Sequence, residues 1–443
     1  MTRWLVRHGA DVRVADSREH PPRAAVLADE LPQVSVTTGP FRERDFAGAD
    51  MIAISPGIDR RKPPIAEAIG GGMPVVGDVE LFAQALNTEH STPNTPKVLA
   101  VTGSNGKSTV TTMAGDMCHA AGAVTMVAGN IGLPVLDALT AAENRAVMPD
   151  VFVLELSSFQ LESTSSLRPD AAAMLNLCED HMDRYDGLAD YAAAKARIFA
   201  GGGVQVLNRD DRWSMGMARP GRTAVTFGLD APASDAEWGI KTTRGKRALA
   251  RGARELLAVD ELPAAGLHNA ANALAALALA HAIDLPETPL VAALSAFKGL
   301  PHRMQKVAEV GGVAFYDDSK GTNVGATVAA LSGTAQPVVL IAGGDGKGQD
   351  FAPLAAPVSA HARAVVLIGR DGAAIASALA NCGVPLARSR SLEEAVEAAF
   401  HASRPGDVVL LSPACASYDM FHDYVHRAEV FVAAVQELVR REG

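Results

Sequence analysis

The stretch that most constrains this chain is Lys97–Thr112, which reads KVLAVTGSNGKSTVTT. Its apolar first half predicts a buried strand ending at Thr102, followed by a glycine turn, Gly103–Lys107, and a helix that Ser108 opens. Such a turn forms a phosphate cradle, because backbone N–H groups and the lysine face an anion and the hydroxyl can hold Mg²⁺. Val101 replaces the first glycine of the full Walker A pattern, so a glycine turn without a ligand is the alternative interpretation.

Composition limits the class of protein. The chain has 443 residues, with 48% hydrophobic and 20% charged residues, which is typical of a soluble globular protein of several domains. A formal net charge of -10 excludes a global basic field for nucleic acid, so anionic substrates require local cations or a metal. The four cysteines lack the paired spacing of a disulfide framework or a zinc site and fit a reducing cytosol. The longest apolar tract, around Ala270–Ile283, predicts a helix within a domain and not a membrane span.

Strands and helices alternate along the chain, which predicts an α/β fold with mostly parallel sheets. We divide it into three domains: an N-terminal Rossmann-like domain over residues 1–90, a central P-loop-type domain over 91–298 and a C-terminal Rossmann-like domain over 299–443. The polar, proline-containing run Asn87–Lys97 is the predicted linker between the first two. Residues Trp238–Val259 predict short antiparallel strands within the central domain.

The N-terminal domain is predicted to lack its first strand and glycine loop. A strand over Val12–Ala15 ends in Asp16, as the second strand of a βαβ nucleotide-binding unit does, where an acid commonly meets a ribose or base edge. The chain begins at Met1 in the middle of the helix that is predicted before this strand. We therefore expect Met1 to be an internal methionine, with the natural protein beginning about twenty residues earlier, the size of a strand plus a glycine loop.

Polar residues follow predicted strands at the edge where parallel sheets bind ligands. Glu155 could meet Mg²⁺ and a nucleotide together with Lys107 and Ser108, or it could be an acid near a helix N-terminus. The run Glu179–Asp183 (EDHMD) would need a metal or a cationic substrate if buried, or it would form a solvated loop. Lys195, on a predicted helix among alanines, is by itself an ordinary surface lysine with a buried stem.

The C-terminal domain offers further candidates, each weak alone. Arg303 suits a bidentate phosphate contact but could equally form a peripheral salt bridge. Asp317–Asn323 joins a strand end to a helix start, and Gly343–Lys347 (GGDGK) is a second glycine turn whose lysine could meet an anion. Ser412–Ser417 follows another apolar strand, and its small residues would let a ligand approach the backbone. Cys415 has no implied His or Asn partner, so we do not interpret it as a nucleophile.

Together, the motifs resemble those of the Mur ligases over essentially the whole chain. In order, they are TGSNGKST (Thr102–Thr109), GNIG (Gly129–Gly132), LELSSFQLE (Leu154–Glu162), EDHMDRY (Glu179–Tyr185), GLPHR (Gly299–Arg303), DSKGTN (Asp318–Asn323), GGDGK (Gly343–Lys347) and LSPACAS (Leu411–Ser417). Each is weak or moderate alone, whereas the ordered set is specific. EDHMDRY and LSPACAS favour the members that add D-glutamate, and the DNPR motif of the members that add a diamino acid is absent.

The resemblance implies an activity and its cofactors. The implied reaction is ATP-dependent ligation of D-glutamate to UDP-N-acetylmuramoyl-L-alanine through an acyl phosphate, a cytoplasmic step of peptidoglycan precursor synthesis. The implied cofactors are ATP, two Mg²⁺ ions and a carbamylated lysine at Lys195. The implied state is a cytoplasmic monomer without a nucleic-acid partner or a membrane span. Carbamylation needs a neutral amine with a depressed pKa, so the resemblance reverses the surface interpretation of Lys195.

The resemblance also assigns roles residue by residue. The implied catalytic residues are Lys107, Glu155, His181 and Lys195, and the implied metal-facing residues are Ser108, Glu155, His181 and carbamylated Lys195. The implied ATP contacts are Gly103, Ser104, Asn105, Gly106, Lys107, Ser108, Thr109, Asn269, Asn272, Arg303 and Asp318. The implied UDP-sugar contacts are Asp16, Ser17, Arg18, Ser55, Gly57 and Asn130. The implied D-glutamate contacts are Thr322, Lys347, Ser417 and Tyr424, the last at a position where the family often has phenylalanine.

Two other functions stay open on the sequence. A nucleotide-binding regulatory or scaffold relative would have lost catalysis, which the retention of Lys107, Glu155, His181 and Lys195 argues against. A dinucleotide-dependent oxidoreductase would fit the α/β units, but no complete GxGxxG motif follows a strand.

Overall fold

The computed structural model describes residues 1–89, 95–145, 147–262 and 266–442. Its first region contains two separate two-stranded parallel sheets, β1 (Arg13–Asp16) with β2 (Ser35–Thr38) and β3 (Ile52–Ala53) with β4 (Val75–Val76). The helices of this region are α1 (Thr2–Arg7), α2 (Ala24–Glu30), α3 (Pro63–Gly70) and α4 (Asp78–Glu89).

Helix α4 buries an apolar face against the next region. The Phe82 and Phe152 rings meet edge to face with centroids 5.1 Å apart. The Glu80 carboxylate accepts the Ser166 backbone N–H at 2.9 Å. The helix continues through Asn87–Glu89, where the side chain of Asn87 donates to the Ser166 carbonyl at 3.2 Å. The prediction of a linker was therefore wrong at these residues, and residues 90–94 of that linker lie outside the described part of the chain.

The second region holds one nine-stranded sheet. Its strands are β5 (Lys97–Thr102), β6 (Thr125–Gly129), β7 (Val151–Glu155), β8 (Ala171–Met174), β9 (Val204–Asn208), β10 (Ala224–Phe227), β11 (Glu237–Thr243), β12 (Lys246–Arg251) and β13 (Arg254–Ala258). Their order is β13-β12-β11-β10-β9-β8-β5-β7-β6. The pairs from β6 to β11 are parallel, whereas β11, β12 and β13 are antiparallel, as the sequence predicted for Trp238–Val259.

Helices cover both faces of this sheet. They are α5 (Lys107–Ala120), α6 (Val135–Arg145), α7 (Ser158–Glu162), α8 (Leu188–Ala196), α9 (Arg212–Gly216), α10 (Leu267–His281) and α11 (Glu287–Ala296). Along β5, Val98 and Ala100 pack into the core under α4 and α6, and Leu99 and Val101 pack into the core under α5 and α10. Burial on both faces explains why the β5 sequence is continuously apolar instead of alternating.

The third region is a six-stranded sheet in which five strands run parallel. Its strands are β14 (Gln305–Val310), β15 (Val313–Asp317), β16 (Val338–Gly343), β17 (Ala362–Ile368), β18 (Leu386–Arg388) and β19 (Val408–Leu411), in the order β14-β15-β19-β16-β17-β18. Its helices are α12 (Val324–Ser332), α13 (Ala355–His361), α14 (Gly372–Ala378), α15 (Leu392–Ala402) and α16 (Tyr424–Glu442).

The mostly parallel sheets confirm the predicted α/β fold class. The loops that follow β15, β16 and β19 lie together. Asp345 and Ala416 exchange backbone hydrogen bonds at 2.9 and 2.8 Å, and the Ser412 hydroxyl donates to Asp318 at 2.7 Å. These loops meet the phosphate loop of the second region, so the site is built between two sheets. No helix within the described residues is long and apolar enough to cross a membrane.

Candidate active site

The phosphate loop connects β5 to α5. Gly106 lies directly before the helix with φ at +83°, and a Cβ at this position would lie 2.4 Å from the Asn272 Oδ1. The positive φ therefore favours glycine, and a larger residue would also displace the Asn272 amide. The Lys107 Nζ donates to the carbonyls of Gly103 and Ser104 at 3.0 and 2.9 Å, which folds the lysine over its own loop. Burial lowers the pKa of Lys107.

Asn176, which the sequence analysis did not select, holds this loop in shape. Its carbonyl accepts the Ser104 N–H at 2.9 Å, and its Oδ1 accepts the Asn105 N–H at 2.8 Å. Its Nδ2 donates to the Asn105 carbonyl at 3.1 Å. It lies just beyond β8, two residues past the end of an apolar strand, which is the only sequence signal that marks it.

A cavity of about 350 Å³ opens beside the phosphate loop, between the second and third regions. Residues from the predicted ATP set line it: Asn105, Gly106, Thr109, Asn269, Asn272, Arg303 and Asp318. Apolar side chains, including Leu175, Phe297 and Leu300, line it as well. A site with an apolar wall and a few convergent polar groups suits a nucleotide base next to a phosphate loop.

Two cations and an acid from the third region face the loop. The Arg303 Nη2 donates to the Ser108 hydroxyl at 2.9 Å. Asp318 accepts a hydrogen bond from the Ser412 hydroxyl at 2.7 Å, and burial raises the pKa of Asp318 to about 7. Lys320, absent from the predicted site, lies 3.8 Å above the centre of the Tyr424 ring. Burial, and then the charges of Arg303 and Lys107, lower the pKa of Lys320 to about 8.

Glu155 has a free oxygen suited to a cation. The side chain, at the end of β7, is 1% exposed. Its Oε1 accepts the Asn130 Nδ2 at 2.7 Å, and its Oε2 has no hydrogen-bond partner. Together with the Ser108 hydroxyl, this is a donor set of hard oxygens that fits Mg²⁺. Within the described residues, no three His, Cys, Asp or Glu side chains cluster as a metal cage, so the fit requires ligands from a substrate as well.

Lys195 is buried, with 1% of its surface exposed, and the surface interpretation was wrong. Its Nζ donates to the Gly103 carbonyl at 2.9 Å and lies 4.5 Å from the centre of the Tyr191 ring. Burial, and then the charge of Lys107, hold the pKa of Lys195 well below its usual range. Helix α8 carries this lysine under the phosphate loop, where its neutral amine is favoured.

Within the EDHMD run, Asp180 is 6% exposed and forms an ion pair with Lys347, so the alternative of a solvated loop was wrong for this residue. Asp183 of the same run is exposed. Burial would raise the pKa of Asp180, but Lys347 and His181 outweigh it and lower the pKa to about 2. Burial lowers the pKa of His181 to about 4 against the pull of Asp180, so this ring is neutral at pH 7. His181 and Lys347 both adopt positive φ, at 58° and 52°, a strain that is often found at functional sites.

The predicted D-glutamate residues lie on neighbouring loops. Lys347 and Ser417 belong to the loops after β16 and β19 that Asp345 and Ala416 join. Thr322 follows Lys320, whose carbonyl accepts the Thr322 N–H at 2.9 Å, and Tyr424 begins α16 beneath the same lysine. Cys415 is buried, and burial raises the pKa of its thiol to about 12, which agrees with the prediction that it is not a nucleophile.

The predicted UDP-sugar residues lie at three places. Asp16 accepts hydrogen bonds from the backbone and guanidinium of Arg18 at the end of β1, next to Ser17. Ser55 and Gly57 follow β3, and Asn130 is bound to Glu155. The Arg184 guanidinium, in the EDHMDRY motif, donates to the Ile58 carbonyl at 3.3 Å and thereby ties the loop after β3 to the second region.

Family models match three consecutive parts of the chain. They are described as "Mur ligase MurD-like, N-terminal domain" at residues 1–77, "Mur ligase middle domain" at residues 101–280 and "Mur ligase, glutamate ligase domain" at residues 302–415.

Relatives and solved structures agree with these matches. The UDP-N-acetylmuramoylalanine–D-glutamate ligase of Thiobacillus denitrificans is 59% identical over 450 residues, covering 100% of this chain and 94% of the relative. The protein of the same name from Chromobacterium violaceum is 53% identical over 441 residues, covering 98% and 94%. The crystal structure of MurF from Acinetobacter baumannii superposes with a TM-score of 0.63 at 18% identity, covering 98% of this chain and 87% of that one. The MurC structure from Thermotoga maritima gives 0.60 at 20% identity, covering 98% and 95%, and both structures bear on the fold alone.

Proposed function

The chain belongs to the Mur ligase family, and we propose that it ligates D-glutamate to UDP-N-acetylmuramoyl-L-alanine with conversion of ATP to ADP and phosphate, a cytoplasmic step of peptidoglycan precursor synthesis. One observation carries the proposal: side-chain cations from two regions lie at the phosphate loop and the cavity beside it, in a protein of net charge -10. Lys107 folds over the loop, Arg303 donates to the Ser108 hydroxyl, and Lys320 lines the cavity. The relatives at 59% and 53% identity support D-glutamate as the amino acid.

The reaction explains why the site is cationic. An oxygen of the L-alanyl carboxylate attacks the γ-phosphorus of ATP, ADP leaves, and an acyl phosphate forms. The D-glutamate amine then attacks the acyl carbon, loses a proton, and phosphate leaves with formation of the amide. Every reactant is an anion, so positioning and charge stabilisation supply most of the rate. Lys107 and Arg303 would stabilise the transferring phosphoryl group, and their hydrogen bonds to the phosphate loop support these roles.

Ser108 and Glu155 would hold Mg²⁺, and the unpartnered Glu155 Oε2 supports this assignment. When bound, Mg²⁺ neutralises phosphate oxygens and polarises the phosphorus. His181, neutral at pH 7, and Lys195 are proposed at a second ion. Carbamylation of Lys195 joins its neutral amine to CO₂ with release of a proton, and the burial that lowers the pKa of Lys195 favours this.

Substrate carboxylate and Asp180 would compete for Lys347. Lys347 already holds a buried carboxylate in Asp180, with Thr322, Ser417 and Tyr424 on the neighbouring loops. Binding of D-glutamate would require the ammonium group to turn from one carboxylate to the other or to share both. The UDP moiety would bind at Asp16, Ser17 and Arg18, which are distant in sequence from Lys347.

We also propose that the domain boundaries lie at 90/91 and 298/299. We further propose that the protein is a monomer. The described sheets lie within residues 13–76, 97–258 and 305–411. Sedimentation equilibrium of the purified chain tests the monomer.

A phosphate-release assay tests the proposed function. We expect release from ATP to require both UDP-N-acetylmuramoyl-L-alanine and D-glutamate, with L-glutamate as the matched control substrate. Mass spectrometry should detect the UDP-linked dipeptide product. Release of phosphate with neither acceptor present would contradict the proposal.

A further inference from the structure

Asn323 and Asn105 join the third region to the phosphate loop through their side-chain amides. The Asn105 Nδ2 donates to the Asn323 Oδ1 at 3.1 Å, and the Asn323 Nδ2 donates back to the Asn105 Oδ1 at 3.0 Å. Asn323 is 2% exposed, so water does not replace either bond easily. Within the sets assigned above, Asn105 belongs to the ATP site, and Asn323 has no role.

The same side chain makes two further bonds. The Asn323 Oδ1 accepts the Ala326 N–H at 2.9 Å and caps helix α12. Its Nδ2 also lies 3.3 Å from the Asp180 Oδ2, and Asp180 pairs with Lys347. One amide therefore contacts the phosphate loop, the helix that lines the cavity and the acid that holds the proposed D-glutamate lysine.

The residues around the pair are closely packed. A Cβ at Gly325, in the first turn of α12, would lie 2.7 Å from the Cys178 Sγ and 3.2 Å from the Asn105 Nδ2. Asn105 is held on its other side by Asn176 through its own backbone. The contact is thus a hydrogen-bonded, closely packed junction between the phosphate loop and α12.

We infer that Asn323 is a positioning residue that couples nucleotide binding at the phosphate loop to D-glutamate binding at Lys347. The inference rests on the proposed function. A phosphate loop ordered by nucleotide presents Asn105 to Asn323, which orders α12 and holds Asp180 through its Nδ2. Asp180 then competes less for Lys347, and the lysine is available to the D-glutamate carboxylate. Coupling is reciprocal, so nucleotide and D-glutamate tighten each other by the same factor.

Calorimetry of D-glutamate binding, with and without a non-hydrolysable ATP analogue, tests the coupling on the full chain. We expect the analogue to tighten D-glutamate binding about tenfold in the wild type, the size of one or two buried hydrogen bonds. Asn323→Ser keeps a hydroxyl that can cap α12, but the shorter side chain cannot reach both Asn105 and Asp180. The factor by which the analogue tightens D-glutamate binding should therefore approach one in this variant. Gly325→Ala removes no polar group, but its methyl group would push Asn105 away from Asn323. The analogue should therefore no longer tighten D-glutamate binding in this variant either.

Ser391→Ala is the matched control. Ser391 caps α15 by accepting the Glu394 N–H at 3.2 Å, away from the cavity. This variant should keep the coupling factor. A factor that persists in Asn323→Ser, or that is lost in Ser391→Ala, overturns the inference. Additive effects of Asn105→Ser and Asn323→Ser on the coupling free energy, in a double-mutant cycle, would also overturn the inference, since residues that contact each other do not act independently.

Failure of the proposed function is distinguishable from failure of the inference. If the wild type binds D-glutamate but forms no UDP-linked product, the proposed function fails, and the calorimetric coupling factor still decides the inference. If the wild type forms the product and the coupling factor is the same in Asn323→Ser, the inference alone fails. A wild type that does not bind D-glutamate overturns both.

Discussion

Lys107 and Lys195 donate hydrogen bonds to the same backbone oxygen, the Gly103 carbonyl, at 3.0 and 2.9 Å. Two ammonium groups on one neutral oxygen repel each other, and burial removes the water that would screen them. The repulsion favours the neutral amine at Lys195, which is the more deeply buried of the two. This shared acceptor leads to the first two predictions.

Lys195 is expected to carry CO₂. Incubation with ¹³C-bicarbonate should give a carbamate ¹³C signal in the wild type and none in Lys195→Arg, because arginine does not lose its proton. Activity should fall in CO₂-depleted buffer and return on addition of bicarbonate. Full activity without CO₂, or the same signal in Lys195→Arg, would count against the modification.

Replacement of Lys107 by methionine should separate stability from activity. The turnover number should fall by about 10²–10³, the usual effect of removing one charge that stabilises a transition state. The free energy of unfolding should hold steady or rise by about 1 kcal/mol, because the change removes a partly buried cation whose hydrogen bonds, among the described residues, go to carbonyls. Urea titration and steady-state kinetics check the two effects. A large loss of stability would show instead that Lys107 holds its loop together.

Asp318 should make the stability of the unliganded protein depend on pH. Its pKa is about 7 when folded and lies near 3.8 when unfolded, so the folded state binds more protons between these values. The free energy of unfolding therefore decreases as pH rises from about 4 to 7, by up to about 1.4 kcal/mol per pH unit, and levels off above that range. Asp318→Asn should lack this contribution.

Denaturant titrations at pH 5 and pH 7 check this prediction. The stability of the wild type relative to Asp318→Asn should be greater at pH 5 by about 2 kcal/mol. Parallel pH curves for the two proteins would contradict it.

Arg427 should be a structural cation. It is 0% exposed and donates to the Ser319 hydroxyl and carbonyl at 3.0 and 2.7 Å and to the Cys415 carbonyl at 3.1 Å. Truncation to alanine leaves these acceptors unpaired and a cavity in the core, and should cost about 3–5 kcal/mol. Arg441→Ala, which removes an exposed ion pair with Glu397, should cost less than about 1 kcal/mol. Thermal unfolding of both variants compares them, and similar melting temperatures would refute the role.

Much of the fold follows from local sequence patterns. Continuous apolar runs marked the strands around β5 and β7, because strands buried on both faces have no polar side. The glycine turn before Lys107 and the acid at the end of β7 were recognisable because their residue types are required at single positions. The end of α4 was not recognisable in the same way. The sequence at Asn87 fits the end of a helix and the start of a linker equally well, and only the tertiary contact with Ser166 distinguishes them.

What the sequence determined by itself was the order of strands, turns and helices, and the family to which the motifs point, because these depend on neighbouring residues. Only the tertiary structure decided which distant groups share one acceptor or one ion pair. Lys195 sits among alanines that suit a surface helix equally well, and its burial arises from the packing of α8 under Gly103. Asp180 meets Lys347 and Asn105 meets Asn323 across more than a hundred residues, through contacts that no local spacing encodes.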